Sequence, residues 1–399
     1  MINRPDYIAA IEPFIDKPLV KILAGIRRCG KSTIFEMLRE ELLRRGIGED
    51  QIICKRYTEM DIPENITAKQ MYDELTAAMA GKGHCYLLLD EIQEITGWEK
   101  AVNSLLESAD ADIYVTGSNS KLMSSEISTY LTGRYVSIPV YTLSFKEYLD
   151  FKADSTLSRR ELLEEYIRFG GFPIIALSEY DEQSAYQIVN GIYHTVVSRD
   201  IVKRHRINKQ DLFDRVVKFI IENMGKTFSA NSISTFLKSE LRKVSVESIY
   251  NYLRWLEQAF IIYPCERYDL QGKSILKTQE KYYLADVSLK YALLGYNRKM
   301  LDGAMENIVF LELKRRGYDV YIGKNDTKEI DFVAARRDER IYVQVCVQLP
   351  EGSDREVGNL MEIKDHYPKY VVTLNDMDVG IENGIKIVHL QNFLLADTW

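Results

Sequence analysis

The sequence has few cysteines, and no two of them are spaced as a pair. Cysteine occurs five times in 399 residues, at Cys29, Cys54, Cys85, Cys265 and Cys346. This scatter predicts neither a disulfide framework nor a zinc site, and it indicates a reducing compartment. Apolar runs long enough to cross a membrane are also missing, and the first six residues lack a signal-peptide core. We therefore expect a cytoplasmic protein without membrane contact.

The charge of the chain is nearly balanced overall but unevenly distributed. Lysine and arginine number 52 against 59 aspartates and glutamates, a net charge of −7. Between Arg199 and Lys273, however, fourteen basic residues stand against nine acidic ones, a net charge of +5. A chain of this length also exceeds the usual size of one hydrophobic core, so two or three domains are expected.

The segment from Gly25 to Thr33 has the sequence of a phosphate-binding loop. It follows the apolar run Val20 to Ala24 and precedes a stretch with helical periodicity. Its glycines allow the backbone to curl so that amide hydrogens face a polyphosphate, Lys31 would reach the outer phosphates, and Ser32 would ligate magnesium. The residues predicted to bind the nucleotide are Gly25, Arg28, Cys29, Gly30, Lys31, Ser32 and Thr33.

Two acids follow a second apolar run, Cys85 to Leu89. The run is typical of a buried parallel strand, which would present Asp90 and Glu91 at the carboxyl edge of a sheet. We predict that Asp90 and Ser32 hold Mg²⁺, and that Glu91 polarises the water that attacks the terminal phosphate of ATP. The alternative is that the two acids only cap the next helix.

Polar residues at the end of a third strand, and an arginine after it, complete the predicted catalytic set. The strand Ile113 to Thr116 runs into Ser118 and Asn119, either of which would lie beside the terminal phosphate as a sensor. Arg134 would contact the same phosphate through its guanidinium. The alternatives are a turn of small polar residues for the sensor pair and a salt bridge for Arg134.

These motifs resemble those of the AAA-type ATPases of bacteria and archaea that carry a C-terminal domain of unknown function. The resemblance rests on the segments Gly25 to Thr33, Leu87 to Gln93, Val115 to Ser120, Gly133 to Tyr135, Leu143 to Tyr148 and Gly170 to Pro173. It implies ATP hydrolysis by a homo-oligomer with nucleotide at the subunit interfaces. It also implies that the last segment, a sharp turn, belongs to a lid over the nucleotide, and it implies no particular substrate.

Three helices and a hairpin are predicted in the basic part of the chain. The helices cover Leu212 to Met224, Ser229 to Leu237 and a stretch from Ser245, and the strands cover Ile261 to Asp269 and Ser274 to Ala285. This order is typical of a winged helix, whose third helix enters a DNA major groove and whose hairpin touches a phosphate backbone. The candidate DNA contacts are Arg242, Lys243, Ser248, Asn251 and Arg254. A protein-packing module with ordinary surface charges is the alternative.

The last hundred residues resemble the core of a restriction endonuclease. Glu306 and Asp331 match two of the acids that gather a divalent metal in such enzymes. Gln344 and Cys346 stand where an acid and a lysine are expected. Because an amide binds magnesium weakly and a thiol cannot replace an ammonium, we predict that this domain does not cleave nucleic acid. Two other acids could still replace the missing ligand, Glu312 and Glu329.

Together these patterns predict an α/β protein with four parts. We expect a P-loop AAA-type ATPase core with a parallel sheet in residues 1–150 and a helical lid in 151–200. A winged helix in 201–295 and a degenerate restriction-endonuclease-like α/β domain in 296–399 follow. The predicted function is that of an ATP-hydrolysing motor or remodeller acting on duplex or branched DNA. The alternatives are a nucleotide-dependent switch that binds a partner protein, and an ATP-dependent nuclease.

Overall fold

The computed structural model of the chain describes residues 2–58, 66–123, 125–207, 209–239, 244–272, 274–297, 300–350 and 355–399. They form two compact units, one within residues 1–140 with 258–260 and the other within residues 141–257 with 261–399. Within the described ranges, no helix combines the length and the apolarity that crossing a membrane requires.

The first unit is a five-stranded parallel sheet with helices, which confirms the predicted fold class. Its strands are β1 (Val20–Ala24), β2 (Ile52–Arg56), β3 (Cys85–Asp90), β4 (Ala111–Gly117) and β5 (Tyr135–Pro139). Its helices are α1 (Pro5–Ile11), α2 (Lys31–Arg44), α3 (Ala68–Met79), α4 (Trp98–Ser108) and α5 (Ser125–Tyr130). Short 3-10 helices cover Glu12–Phe14, Glu49–Gln51, Ile92–Glu94 and Ser120–Met123.

Strand β4 lies between β1 and β3, so three strand ends meet at one edge of the first sheet. The sheet order is β2-β3-β4-β1-β5, with every pairing parallel. Ala24 of β1 pairs with Gly117 of β4, and Leu89 of β3 pairs with Val115. Strands β1 and β3 are buried along their whole length, which explains their mostly apolar sequences. The residues that follow these strands therefore share the carboxyl edge.

The second unit combines helices with an eight-stranded mixed sheet. Its first helices are α6 (Phe145–Phe151), α7 (Arg159–Phe169), α8 (Pro173–Ala176), α9 (Glu182–Val196), α10 (Lys203–His205), α11 (Gln210–Glu222), α12 (Ala230–Ser239) and α13 (Val246–Gln258), and a π-helical segment, Val197–Val202, joins α9 to α10. Its later helices are α14 (Ser288–Leu294), α15 (Leu301–Arg315), α16 (Arg355–Met361) and α17 (Leu390–Leu395). Its strands are β6 (Ile262–Asp269), β7 (Ser274–Leu284), β8 (Asp319–Asn325), β9 (Lys328–Arg336), β10 (Glu339–Val345), β11 (Lys369–Thr373), β12 (Gly380–Glu382) and β13 (Ile385–His389).

The predicted hairpin forms, but it belongs to the C-terminal sheet. The strand order is β12-β13-β11-β10-β9-β8-β6-β7, and β6 pairs in parallel with β8, with Arg267 opposite Ile322. The predicted domain boundary between residues 295 and 296 would assign the hairpin to the winged helix. Because the hairpin pairs with strands that follow this boundary, the boundary does not separate it from that sheet. The three helices predicted before the hairpin are present as α11, α12 and α13. The boundary predicted after residue 150 falls within α6.

Gly170 and Gly171 pack closely against Asp286. Gly170 has a φ of +73°, and a Cβ atom there would lie 1.7 Å from Asp286 Oδ1. The Gly171 N–H donates to Asp286 Oδ2 at 2.8 Å, and the Leu143 N–H donates to Gly171 O at 2.7 Å. Only glycine meets both the conformation and the space at residue 170. The two glycines thus serve folding, as expected of a turn.

Gly170→Ala should destabilise the protein by about 2–4 kcal/mol, because the added methyl group meets the Asp286 carboxylate and disfavours the positive φ. Gly191, exposed in α9, is the matched control, since an added Cβ there meets no described atom within 4 Å. Gly191→Ala should stabilise by about 0.5–1 kcal/mol, as alanine is the better helix former. Urea denaturation followed by circular dichroism measures both. Equal midpoints for the two variants would contradict the packing argument.

Candidate functional site

The loop between β1 and α2 is fixed by backbone geometry and by one buried arginine. Arg28 and Gly30 have φ values of +69° and +102°, so the chain turns sharply before α2 begins. A Cβ on Gly25 would lie 2.0 Å from the carbonyl oxygen of Val140, so this position admits only glycine. Arg4, 1% exposed, donates from Nη1 to Cys29 O at 2.8 Å. The loop is therefore shaped independently of any ligand.

Lys31 turns its ammonium back into this loop. Its Nζ donates to the carbonyl oxygens of Gly25 and Ile26 at 3.0 and 3.1 Å, and lies 3.7 Å from Glu91 Oε1. The residue is 4% exposed. A buried ammonium held by loop carbonyls can exchange these acceptors for phosphate oxygens with little change in position. The neighbouring Cys29 thiol is fully buried, and this burial raises its pKa, so the thiol stays protonated.

Asp90 collects donors from three elements. Its Oδ2 accepts from the Ser32 hydroxyl at 2.7 Å and from Arg56 Nε at 3.1 Å, and its Oδ1 accepts from the Thr116 hydroxyl. The hydroxyl and carboxylate oxygens of Ser32 and Asp90 are ligands that Mg²⁺ prefers, and their separation fits one shared ion. The phosphate loop and the first acid are thus brought together as the sequence predicts.

Glu91 lies beside the loop in a left-handed backbone conformation. Its φ is +55°, which is uncommon for a residue with a side chain and frequent at functional sites. The Glu91 N–H donates to Thr116 Oγ1 at 3.0 Å, and Oε2 accepts from Gln93 Nε2 at 2.5 Å. Arg27 Nη1 is 3.6 Å from the same carboxylate. The acid is therefore oriented from both ends.

Of the two sensor candidates, the structure brings Ser118 to Glu91. The Ser118 hydroxyl donates to Glu91 Oε2 at 3.4 Å and accepts from Gln93 Nε2 at 3.3 Å. Asn119 is 2% exposed at the same strand end. A Cβ on Gly117, the last residue of β4, would lie 2.2 Å from Gln93 Oε1. The end of β4 is thus closely packed against the segment that follows Glu91.

Arg134 is not near the phosphate loop of its own chain. Its carbonyl oxygen accepts from the N–H of Val20, the first residue of β1, whereas the loop follows the last residue of β1. Its guanidinium bonds to Glu107 Oε1 at 2.6 Å and to Asn103 Oδ1 at 3.0 Å, both on α4. Arg134 therefore does not reach the phosphate loop of its own chain, because β5 begins at the opposite edge of the sheet, and in this structure it forms the salt bridge that was the alternative. A role toward another subunit stays a prediction.

Two residues that contact Asp90 were not among the predicted ones. Arg56 ends the edge strand β2 opposite Asp90, and Thr116 is the last residue but one of β4. Their side chains meet Asp90 only because of the strand order. The remaining predicted loop residues differ in exposure: Arg28 is exposed and Thr33 is half-buried.

Three of the five candidate DNA contacts lie on α13, and the other two lie outside the described residues. Arg242 and Lys243 lie outside the described residues. Ser248, Asn251 and Arg254 lie on α13, where Arg254 is exposed and its Nη2 donates to Asn251 Oδ1 at 3.1 Å. Ser248 donates its N–H to the capping hydroxyl of Ser245 at 3.0 Å, as the predicted helix start requires.

One of the two replacement acids considered for the C-terminal domain is engaged elsewhere. Glu312 accepts hydrogen bonds from Arg315 Nη1 at 2.5 Å and from Arg316 Nε at 2.8 Å. It therefore forms ion pairs along its own helix. Glu329, by contrast, lies with Glu306 and Asp331 around one buried lysine, Lys281.

Thr116→Val should destabilise the protein by about 1–3 kcal/mol, because it leaves the buried Glu91 N–H and an Asp90 oxygen without a partner while keeping the side-chain shape. Thr116→Ser keeps the hydroxyl and loses only a methyl group, so it should cost less than about 1 kcal/mol. Chemical denaturation of the two variants beside the parent protein measures the difference. If the valine variant were as stable as the serine variant, the Thr116 hydroxyl would not be organising the acid pair.

Comparison with known proteins agrees with this geometry. Residues 17–149 match a family described as an AAA domain, and residues 160–299 match a domain of unknown function (DUF8612). The chain is 37% identical to an uncharacterised protein of Haemophilus influenzae over 99% of both chains. It is 32% identical to one of Methanocaldococcus jannaschii over 90% of this chain and 82% of that one.

The fold is also similar to that of a solved structure, a Walker-type ATPase of Pyrococcus abyssi. The TM-score is 0.52 at 15% sequence identity, over 73% of this chain and 96% of that one. The match therefore concerns the fold alone. The chain belongs to the family of AAA-domain P-loop ATPases that carry this further domain of unknown function.

Proposed function

We propose that the protein binds ATP at the β1–α2 loop and hydrolyses it to ADP and phosphate. The observation that carries the proposal is the convergence of Lys31, Ser32, Asp90 and Glu91 at one edge of the sheet. In this proposal the loop amides and Lys31 bind the phosphates, while Gly25 keeps the cradle open. The dipole of α2 favours the same anion.

Ser32 and Asp90 would hold the magnesium ion that accompanies ATP. When bound, the ion neutralises charge on the phosphates. Arg56 shares Asp90 Oδ2 with Ser32, so its guanidinium would have to give up this acceptor or share it with the ion. Thr116 keeps the other oxygen of Asp90 turned toward β4.

Glu91 is proposed to accept the proton of the attacking water. Gln93 and Ser118 fix its Oε2, which leaves Oε1 to face the Lys31 ammonium and the loop. A base held between two donors and a cation is oriented, which general-base catalysis requires. Asn119 remains a candidate for contact with the terminal phosphate.

Lys31→Ala should weaken ATP binding about tenfold or more, because it removes the charge that reaches the phosphates. Glu91→Gln should keep ATP binding but lower turnover by about a hundredfold or more. Glu94→Gln is the control, since the carboxylate of this neighbouring acid pairs with Arg27 and the substitution leaves its backbone bond to Glu91 in place. Calorimetric titration and phosphate release distinguish the two effects. Turnover by the Glu91 variant at the parent rate would remove this residue from the role of base.

We further propose that the protein works as a homo-oligomer. The position of Arg134 is consistent with this proposal. Because Arg134 lies at the amino edge of the sheet, a nucleotide that it contacts would be bound to a neighbouring subunit. The ion pair between Arg134 and Glu107 is partly exposed, so breaking it to contact a phosphate would cost little free energy. The nucleotide would then lie at a subunit interface.

The action of the ATPase is proposed to be on DNA, through helices α11 to α13 of the second unit. The net charge of +5 between residues 199 and 273 supports this, as does the exposed arginine on α13. A partner-protein switch is the second candidate. It is favoured by a cavity of about 630 Å³ beside α13 whose lining includes Glu247, Glu257 and Glu280, which would repel phosphates.

Arg254→Ala, or the double variant Arg242→Ala/Lys243→Ala, should weaken duplex binding about three- to tenfold. Each lost phosphate contact should also reduce the slope of the logarithm of affinity against the logarithm of salt concentration by about one. Lys69→Ala, which removes an exposed lysine of α3, should change neither quantity. Fluorescence anisotropy with duplex, single-stranded and branched DNA measures the affinity, and ATP turnover is followed in the same buffer. Absence of binding at low salt, with a turnover rate unaffected by DNA, would favour the partner-protein switch.

A further inference from the structure

Four ionisable side chains from three elements meet in the C-terminal sheet. Lys281 of β7 is 4% exposed. Its Nζ lies 2.9 Å from Glu329 Oε1, 3.5 Å from Glu306 Oε2 and 3.8 Å from Asp331 Oδ1. Glu306 belongs to α15, and the other two acids belong to β9. We call these four residues the Lys281 centre.

The sequence predicts a metal-site remnant here that has no ammonium. The structure supplies one, but from β7 instead of from the β10 segment where Gln344 and Cys346 lie. Cys346 cannot take the part of a charged ligand, because burial raises the pKa of its thiol to about 12. The cation that contacts all three acids is Lys281, while Arg267 Nη2 lies 3.9 Å from Glu329 Oε2 at the edge of the centre.

The oxygens that a metal would use are already engaged by protein donors. Asp331 Oδ2 accepts from the Val345 N–H at 2.8 Å, and Gln344 Oε1 accepts from the Asp331 N–H at 3.0 Å. Glu306 Oε2 accepts from the Tyr283 hydroxyl at 3.1 Å. With the ammonium in place, no group of three or more His, Cys, Asp or Glu side chains among the described residues is arranged to hold a metal ion.

The charges of the centre also favour a resident ammonium. Nζ of Lys281 lies within 3.8 Å of an oxygen of each of the three acids, so the ammonium can offset the charge of all of them. Ionised carboxylates gathered around one point repel one another unless a cation lies between them.

A divalent cation and the ammonium cannot occupy this centre together. Magnesium and manganese bind carboxylate oxygens at about 2.0–2.2 Å. An ion bonded to these three carboxylates would therefore take the position that Nζ now holds, and the two positive charges would repel in a buried environment. A catalytic lysine that works beside a metal ion would instead stand to one side of the acids.

We propose that the ammonium of Lys281 takes the place of the divalent cation in this restriction-endonuclease-like domain, so that the domain binds no metal there and uses the centre to fix β7 to α15 and β9. Removal of Lys281 should then open a site for a hard divalent cation between Glu306, Glu329 and Asp331. This proposal is independent of the ATPase proposal, since all four residues lie in the second unit.

The test measures Mn²⁺ binding to the full-length, nucleotide-free chain by calorimetry, with circular dichroism as a check of folding. The parent protein and Asp331→Asn should bind the same number of Mn²⁺ ions. Lys281→Met should bind one more per chain, and the double variant Lys281→Met/Asp331→Asn should lose it again. Lys281→Arg keeps the charge and should gain no ion. If Lys281→Met is unfolded without metal, Mn²⁺ should restore its melting transition.

Three results would overturn the proposal. The first is a parent protein that loses one bound Mn²⁺ on Asp331→Asn, since the acids would then hold a metal with Lys281 in place. This comparison does not depend on the folding of the lysine variant. The second is a folded Lys281→Met that gains no ion. Mn²⁺-dependent cleavage of plasmid DNA by the parent protein, abolished by Asp331→Asn, would contradict the proposal in the same way.

Discussion

The hydrogen bonds of the Asp90 carboxylate are the constraint on which the candidate nucleotide site depends. Ser32 from α2, Thr116 from β4 and Arg56 from β2 all donate to this one group, although they are far apart in sequence. A buried carboxylate needs such donors, since an unpaired charge in this place would cost several kcal/mol. Once Asp90 is fixed, the phosphate loop and Glu91 have only one arrangement relative to each other.

Strand order explains why this constraint can be met. Because β4 is inserted between β1 and β3, its end lies between the phosphate loop and the acid pair. Thr116 can therefore bond to Asp90 and to the backbone of Glu91 at once, and Ser118 reaches the Glu91 carboxylate. The left-handed conformation of Glu91 is the local cost of this convergence.

The sequence predicts the parts of the site that are continuous segments. The loop from Gly25 to Thr33 and the pair after β3 are recognisable because neighbouring residues encode their chemistry. Thr116 and Arg56 could not be predicted, since their contacts follow from strand order, which depends on packing over the whole sheet. The position of Arg134 could not be predicted for the same reason: it lies close in sequence to the sensor strand, but β5 begins at the opposite edge.

In the second unit, too, local segments are predictable from the sequence and strand pairing is not. The three helices and the hairpin follow from periodicity and turn residues, but the pairing of β6 with β8 is a long-range contact that no local pattern contains. That pairing brings Lys281 to the acids of α15 and β9. If the hairpin is treated as a separate wing, Lys281 is not expected near these acids. Gln344 and Cys346 then indicate only that the acid and the lysine of a nuclease site are missing.

The most direct test of the central claim is a crystal structure with a non-hydrolysable ATP analogue and Mn²⁺, in which anomalous scattering locates the ion. We predict one peak within ligand distance of Ser32 Oγ and beside Asp90, with the Lys31 ammonium moved from the carbonyls of Gly25 and Ile26 to the phosphates. A nucleotide bound elsewhere, or a bound nucleotide with Lys31 still held by those carbonyls and no peak near Asp90, would contradict the account.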